Sequence, residues 1–197
     1  MRSLVLLCGR LVVGAYLAIH GAQKLFGVFG GRGIEGTAAG FERQGLTPGK
    51  PMAITAGVCE LGGGVLTATG AAHPLGPVAV AGTMAVAASV HRPQGPLAAK
   101  GGFELPLTNC VAAAVLAATG PGRLALGRRL HPALGALTAV GAAGIAGVLV
   151  SKVLKAQALA QVEARQGVQS TSQPSATSSG SDKAQAASVT PTPTAAG

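Results

Sequence analysis

The chain has 197 residues, 31 of them glycine, with no tryptophan, 11% charged residues and a formal net charge of +9. A mean hydropathy of +0.47 with so little charge excludes an ordinary soluble surface and points to a membrane class. The basic residues stand singly at the ends of apolar stretches, without aromatic neighbours; this argues against a nucleic-acid partner and suits helices anchored in a lipid bilayer.

The first predicted span, residues 4–29, is apolar yet carries Arg10, His20 and Lys24. A cation near the bilayer centre costs roughly 2.5–3.5 kcal/mol, so each marks a functional position in need of a partner. On a helix, Lys24 lies about 40° and His20 about 80° around from Arg10, with Gly14 and Gly21 between them, which makes one side cationic and small. Arg10 interrupts a start that otherwise resembles a signal peptide, and the helix is expected to be retained. Residues 30–50 form a Gly-rich polar loop ending in Thr47-Pro48-Gly49. Within it, residues 37–44 read as a short interfacial helix stopped by Gly45, with Phe41 turned inward.

Residues 52–72 form a second span, apolar except for Glu60 near its middle, with Gly57, Glu60, Gly64 and Thr67 on one face. A carboxylate at that depth is expected to face the bundle and pair with a cation, Arg10 first among them. Residues 74–90 are a shorter third span closed by His91-Arg92-Pro93, and the Pro74-Leu75-Gly76-Pro77 start folds it back on the second. Residues 103–119 are a fourth span with Glu104 in the first turn, where the helix dipole favours a carboxylate. Gly120-Pro121-Gly122 ends it, and Arg123, Arg128 and Arg129 follow as a basic anchor.

Residues 133–150 are uncharged and just long enough for a fifth span. Gly135, Ala139, Ala143 and Gly147 give it a small-residue face for packing on the bundle or on a second subunit in a homo-oligomer. Residues 152–166 extend it as a charged helix end, and from Gly167 a Ser/Thr/Pro/Ala-rich tail is expected to be disordered. The reading is thus an all-α membrane bundle: residues 1–129 as a four-helix domain, 130–155 as an additional helix, 156–197 as helix end and tail. The loop charges leave its orientation open.

The polar intramembrane candidates are Arg10, His20, Lys24, Glu60, His91 and Glu104. Each has a plain structural reading too: Arg10 with Glu60 as a register-fixing pair, His20 as an interhelical hydrogen bonder, Lys24 and His91 as snorkelling ends, and Glu104 as a cap. Together they offer proton carriers and anion or carbonyl binders. No His/Glu pair at helical spacing suggests a metal, and no Cys-x-x-Cys occurs. Cys8, Cys59 and Cys110 all lie in spans, against a secreted disulfide framework.

In Arg10, the His20-Gly21-x-x-Lys24-Leu25 segment, Gly40-Phe41, Glu60-Leu61-Gly62-Gly63-Gly64, His91, Gly102-Phe103-Glu104 and Gly120-Pro121-Gly122-Arg123, the chain resembles the DoxX family of small bacterial membrane proteins over residues 1–129. It departs from that pattern at Phe103 and Gly127. The resemblance implies four membrane helices, a multi-pass place in the bacterial cell membrane, and a membrane subunit of a redox complex. Quinone as the electron carrier and soluble sulfur-handling or oxidative-stress proteins as partners are part of that implication. A small-solute transporter and a structural or assembly protein are the alternatives.

Overall fold

The computed structural model describes residues 1–127 and 129–171. Six α-helices appear among them: α1 (Arg2–Phe26), α2 (Gly33–Arg43), α3 (Gly49–Thr69), α4 (Leu75–Val90), α5 (Glu104–Thr119) and α6 (Pro132–Thr171). No strand occurs among the described residues. Two 3₁₀ turns, Arg92–Gln94 and Ala98–Lys100, link α4 to α5.

The bundle is built on an antiparallel seam between α1 and α3, and glycine permits it. A methyl group on Gly14 would stand 2.5 Å from the Ala68 nitrogen and 2.6 Å from the Gly64 oxygen, and one on Gly21 would strike the backbone of Leu61. The two helices therefore touch backbone to backbone, as small residues allow in lipid. α4 packs on α3 and α5, while α2 lies across α1 and α3. The Glu42 carboxylate accepts the Gly49 N–H at 3.0 Å, satisfying one of the free donors at the start of α3.

Polarity is inverted relative to a soluble protein. Arg10, Glu60 and Thr67 are buried, whereas Leu11, Val12, Ile54, Val58, Val111, Val140 and Val148 are exposed. Such an exterior is stable against hydrocarbon, and the fold is a helical membrane bundle. α1, α3 and the stretch Pro132–Gln166 are long and apolar enough to cross a membrane. α4 and α5 have 16 residues each, about 24 Å against a hydrocarbon thickness near 30 Å. The two helices expected as the third and fourth spans are thus shorter than the bilayer core.

Predicted boundaries shift by a few residues. The short loop helix starts at Gly33, four residues before the expected residue 37, and Phe41 packs against the Leu46, Val90 and Val153 cluster. The additional helix and its charged extension, expected to end at residue 166, run on to Thr171; the rest of the predicted tail, residues 172–197, lies outside the described residues.

α6 runs alongside α4: Gly135 sits by Pro74, and the Gln157 amide donates to the Ser89 carbonyl at 3.0 Å. Its stripe toward the bundle is Gly135, Ala142, Ala146 and Val153; of the small-residue row Gly135, Ala139, Ala143 and Gly147, only Gly135 is buried there, and Ala143 and Gly147 are exposed. A spacing of four advances about 400° on a helix, so that small-residue row rotates away from its neighbour within three steps, whereas alternating threes and fours stay on it.

Candidate functional site

Lys24 in the last turn of α1 and Glu60 midway along α3 meet at 2.5 Å, with side chains 23% and 2% exposed. The antiparallel seam causes this: Gly21 sits against Gly57 and Leu61 and Leu25 against Gly57, so Glu60 lies about level with Gly21 and the long Lys24 side chain, one turn on, reaches back to it. Arg10 shares their helical face but is about 21 Å away along the axis at 1.5 Å per residue. The expected Arg10–Glu60 pair is therefore absent, and Lys24 holds the carboxylate instead. A carboxylate so deeply buried is tolerated because a cation and a hydrogen bond meet it there.

The pair lines a cavity of about 520 Å³. Its polar end gathers His20, Lys24, Glu60 and His91, with Tyr16, Gln44, Cys59 and Asn109 around them. The rest is apolar, contributed mostly by α4 and α6. A second, more polar cavity of about 340 Å³ lies beneath α2, lined by Arg32, Gln23 and the glycines 30, 31, 36 and 40. His20, Lys24, Phe41, Gln44 and His91 line both cavities. The His20 ring lies edge-on to Tyr16, one turn earlier on α1, with centroids 4.5 Å apart. His91 Nδ1 donates to the Gly101 carbonyl at 2.8 Å, which leaves its Nε2 free.

The remaining candidates lie elsewhere. The Glu104 carboxylate accepts the Ala98 N–H at 3.0 Å and fastens the 3₁₀ turn before α5; it lines neither cavity. Arg10 is 2% exposed at the opposite end of the seam, where one Nη donates to the Leu124 carbonyl at 2.7 Å. Its Nε and other Nη are buried without a hydrogen-bond partner among the described residues. Gly70 ends α3 with φ 73°, and any side chain there would overlap the Arg10 guanidinium. Arg10 thus clamps the segment after α5, whose Leu126 and Leu130 amides donate to the Thr69 and His73 carbonyls at 2.8 and 3.0 Å.

Sequence reasoning missed His73 and Tyr16. His73 stands in the turn between α3 and α4, buried, its Nε2 donating to the Leu116 carbonyl at 3.2 Å. Burial holds it below the usual imidazole range, the Leu116 bond opposes that, and the charges of Arg129 and Arg10 add to it. Its place before Pro74 disguised it as a loop residue. Tyr16 was legible in principle, because it precedes His20 by one helical turn. Among the described residues no group of three or more His, Cys, Asp or Glu side chains is arranged to hold a metal.

The arrangement can bind an amphiphile: a mostly apolar cavity with a few convergent polar groups is the usual form of a ligand site, and its volume falls in the usual range of roughly 300–1,000 Å³. The family model described as DoxX matches residues 5–92, which hold α2 to α4, all but the first residues of α1, and every polar side chain of the cavity except Asn109 and Thr138. No curated protein and no solved structure matches the chain.

Proposed function

We propose that this DoxX-family membrane protein is the multi-pass cell-membrane subunit of a redox complex, linking a sulfur or oxidative-stress partner to the quinone pool. The observation that carries the reading is the apolar cavity with His20, Lys24, Glu60 and His91 at one end. A lipid-soluble carbonyl compound needs just this combination: an apolar enclosure for its body and N–H donors for its oxygens. Quinone reduction consumes two protons with its two electrons. His20 and His91, both also lining the polar cavity under α2, are the imidazoles placed to pass them on. Lys24, anchored by Glu60, would present the remaining N–H donors to a carbonyl oxygen. The electrons would come from the partner, a thiol or other reduced sulfur compound in this reading.

The test is donor-dependent quinone reduction in membranes carrying the wild-type chain or the double variant Lys24→Met/Glu60→Leu, which removes both charges and retains volume. Activity lost in the variant at equal abundance supports the proposal. Equal activity in both, or pH-dependent solute flux in proteoliposomes without any electron acceptor, overturns it.

A further inference from the structure

The polar cavity under α2 holds more cationic groups than the quinone reading uses. Its lining joins Lys24 and Arg32 to the imidazoles of His20 and His91, and among the described residues no carboxylate lines it. Glu60, the partner of Lys24, lines the apolar cavity only. The two acids on α2 are turned elsewhere: Glu35 pairs with Lys50 at 2.7 Å, and Glu42 accepts the Gly49 N–H at 3.0 Å.

Glycine makes the room. Arg32 stands at the N-cap of α2, and its side chain lies along the helix because Gly36 and Gly40 have none: a methyl on Gly36 would stand 2.8 Å from the Arg32 Cβ, and one on Gly40 would stand 3.9 Å from its Nη1. Arg43, in the last turn of α2, comes to the same point, its Nη2 4.0 Å away. Two guanidinium groups therefore converge at Gly40, which lines the cavity, and neither forms an ion pair among the described residues. A cleft lined by charges of one sign gathers counter-ions of the other.

We infer that the cavity under α2 is an oxyanion site whose ligand is a phosphate group, carried by an anionic lipid headgroup or present as free inorganic phosphate. The fork of each guanidinium matches two phosphate oxygens, and the Thr37 hydroxyl and Gln44 amide in the lining supply neutral donors for a third. A carboxylate, with two oxygens in one plane, uses fewer of these donors. The site does not rest on the quinone reading, since Arg32, Arg43 and Gly40 line no part of the apolar cavity.

The test titrates the full-length protein in maltoside micelles, by isothermal calorimetry, with dioctanoyl phosphatidylglycerol and with inorganic phosphate. At least one of the two is expected to saturate at about one equivalent per chain. Arg32→Gln should weaken that binding by about tenfold, the low end for losing a hydrogen bond to a charged group. Gly40→Leu keeps both charges and fills the space between them; a first added atom meets nothing closer than 3.9 Å, so the helix tolerates it, and binding should fall at least as far. Lys100→Gln, which removes an exposed charge that lines neither cavity, should change nothing. Saturation by the lipid alone assigns the headgroup, and saturation by inorganic phosphate, alone or in competition with the lipid, assigns the free ion. No saturable binding of either ligand, binding that Arg32→Gln or Gly40→Leu leaves intact, or an equal loss in Lys100→Gln overturns the site. Neither ligand is a quinone, so failure here leaves the quinone reading standing.

Discussion

Removing the cation from the Lys24–Glu60 pair should expose how much of the fold depends on it. Lys24→Met leaves a carboxylate with 2% exposure facing an apolar cavity. Breaking a buried pair from one side costs about 3–5 kcal/mol, and since Lys24 is itself 23% exposed the low end applies, roughly 3 kcal/mol. Glu60→Leu should cost less, about 1–2 kcal/mol, because the released ammonium can snorkel toward the polar cavity under α2. The double variant should fall near zero, since a buried pair replaced by apolar groups of similar volume is often neutral. The coupling between the sites then comes to about 4–5 kcal/mol, far above the few tenths expected of independent positions. Reversible unfolding in mixed micelles with increasing anionic detergent measures all three variants. Additive single effects, or a Lys24→Met cost below about 1 kcal/mol, would refute the idea that the pair is buried and mutually dependent.

Three further outcomes follow from the packing and the titratable groups. Gly14→Ala should destabilise by about 1–3 kcal/mol: the added methyl meets backbone 2.5 Å away, and that overlap outweighs the gain of up to about 1 kcal/mol in helix propensity; an unchanged unfolding midpoint would contradict the close α1–α3 seam. Because burial lowers the His73 pKa, the folded chain binds fewer protons there than the unfolded chain, so its stabilising effect is complete above about pH 6.5 and is lost as pH falls toward the folded value. Unfolding midpoints between pH 7.5 and 5.5 should therefore fall more for the wild type than for His73→Asn, by at most about 1.4 kcal/mol per pH unit. Arg10→Leu should release the segment after α5, raising hydrogen exchange at Leu126 and Leu130, whose amides are bonded to Thr69 and His73, while Glu60 stays paired with Lys24; unchanged exchange would show that Arg10 is not the clamp.

Periodicity and composition made the helices legible: an apolar run broken by Gly or Pro reads the same in any packing, and α1, α3, α4 and α5 lie within a few residues of their expected places. Partnership was less legible. Arg10, His20 and Lys24 share a face by angle, but angle carries no axial position; only the antiparallel register fixed by Gly14 and Gly21 puts Glu60 beside Lys24 and 21 Å, roughly, from Arg10. Glu104 resembled Glu60 as a lone acid in an apolar stretch, and its position in the first turn of α5 made it a fastener for Ala98 instead. The face of α6 that meets α4 could not be singled out for a related reason, since glycine and alanine mark close approach without saying which neighbour approaches. The cavity could not be read at all, because it arises from what the small residues of α4 and α6 leave unfilled.

The most direct test of the proposed site is the rate at which a reduced-sulfur donor reduces a long-tailed quinone in membranes carrying the wild-type chain or His20→Gln, normalised to protein abundance. The account predicts a loss of about a hundredfold, the low end of what a positioned proton carrier contributes, with the loss smallest at alkaline pH, where the wild-type imidazole has least to give. Equal rates at equal abundance across the pH range would contradict it.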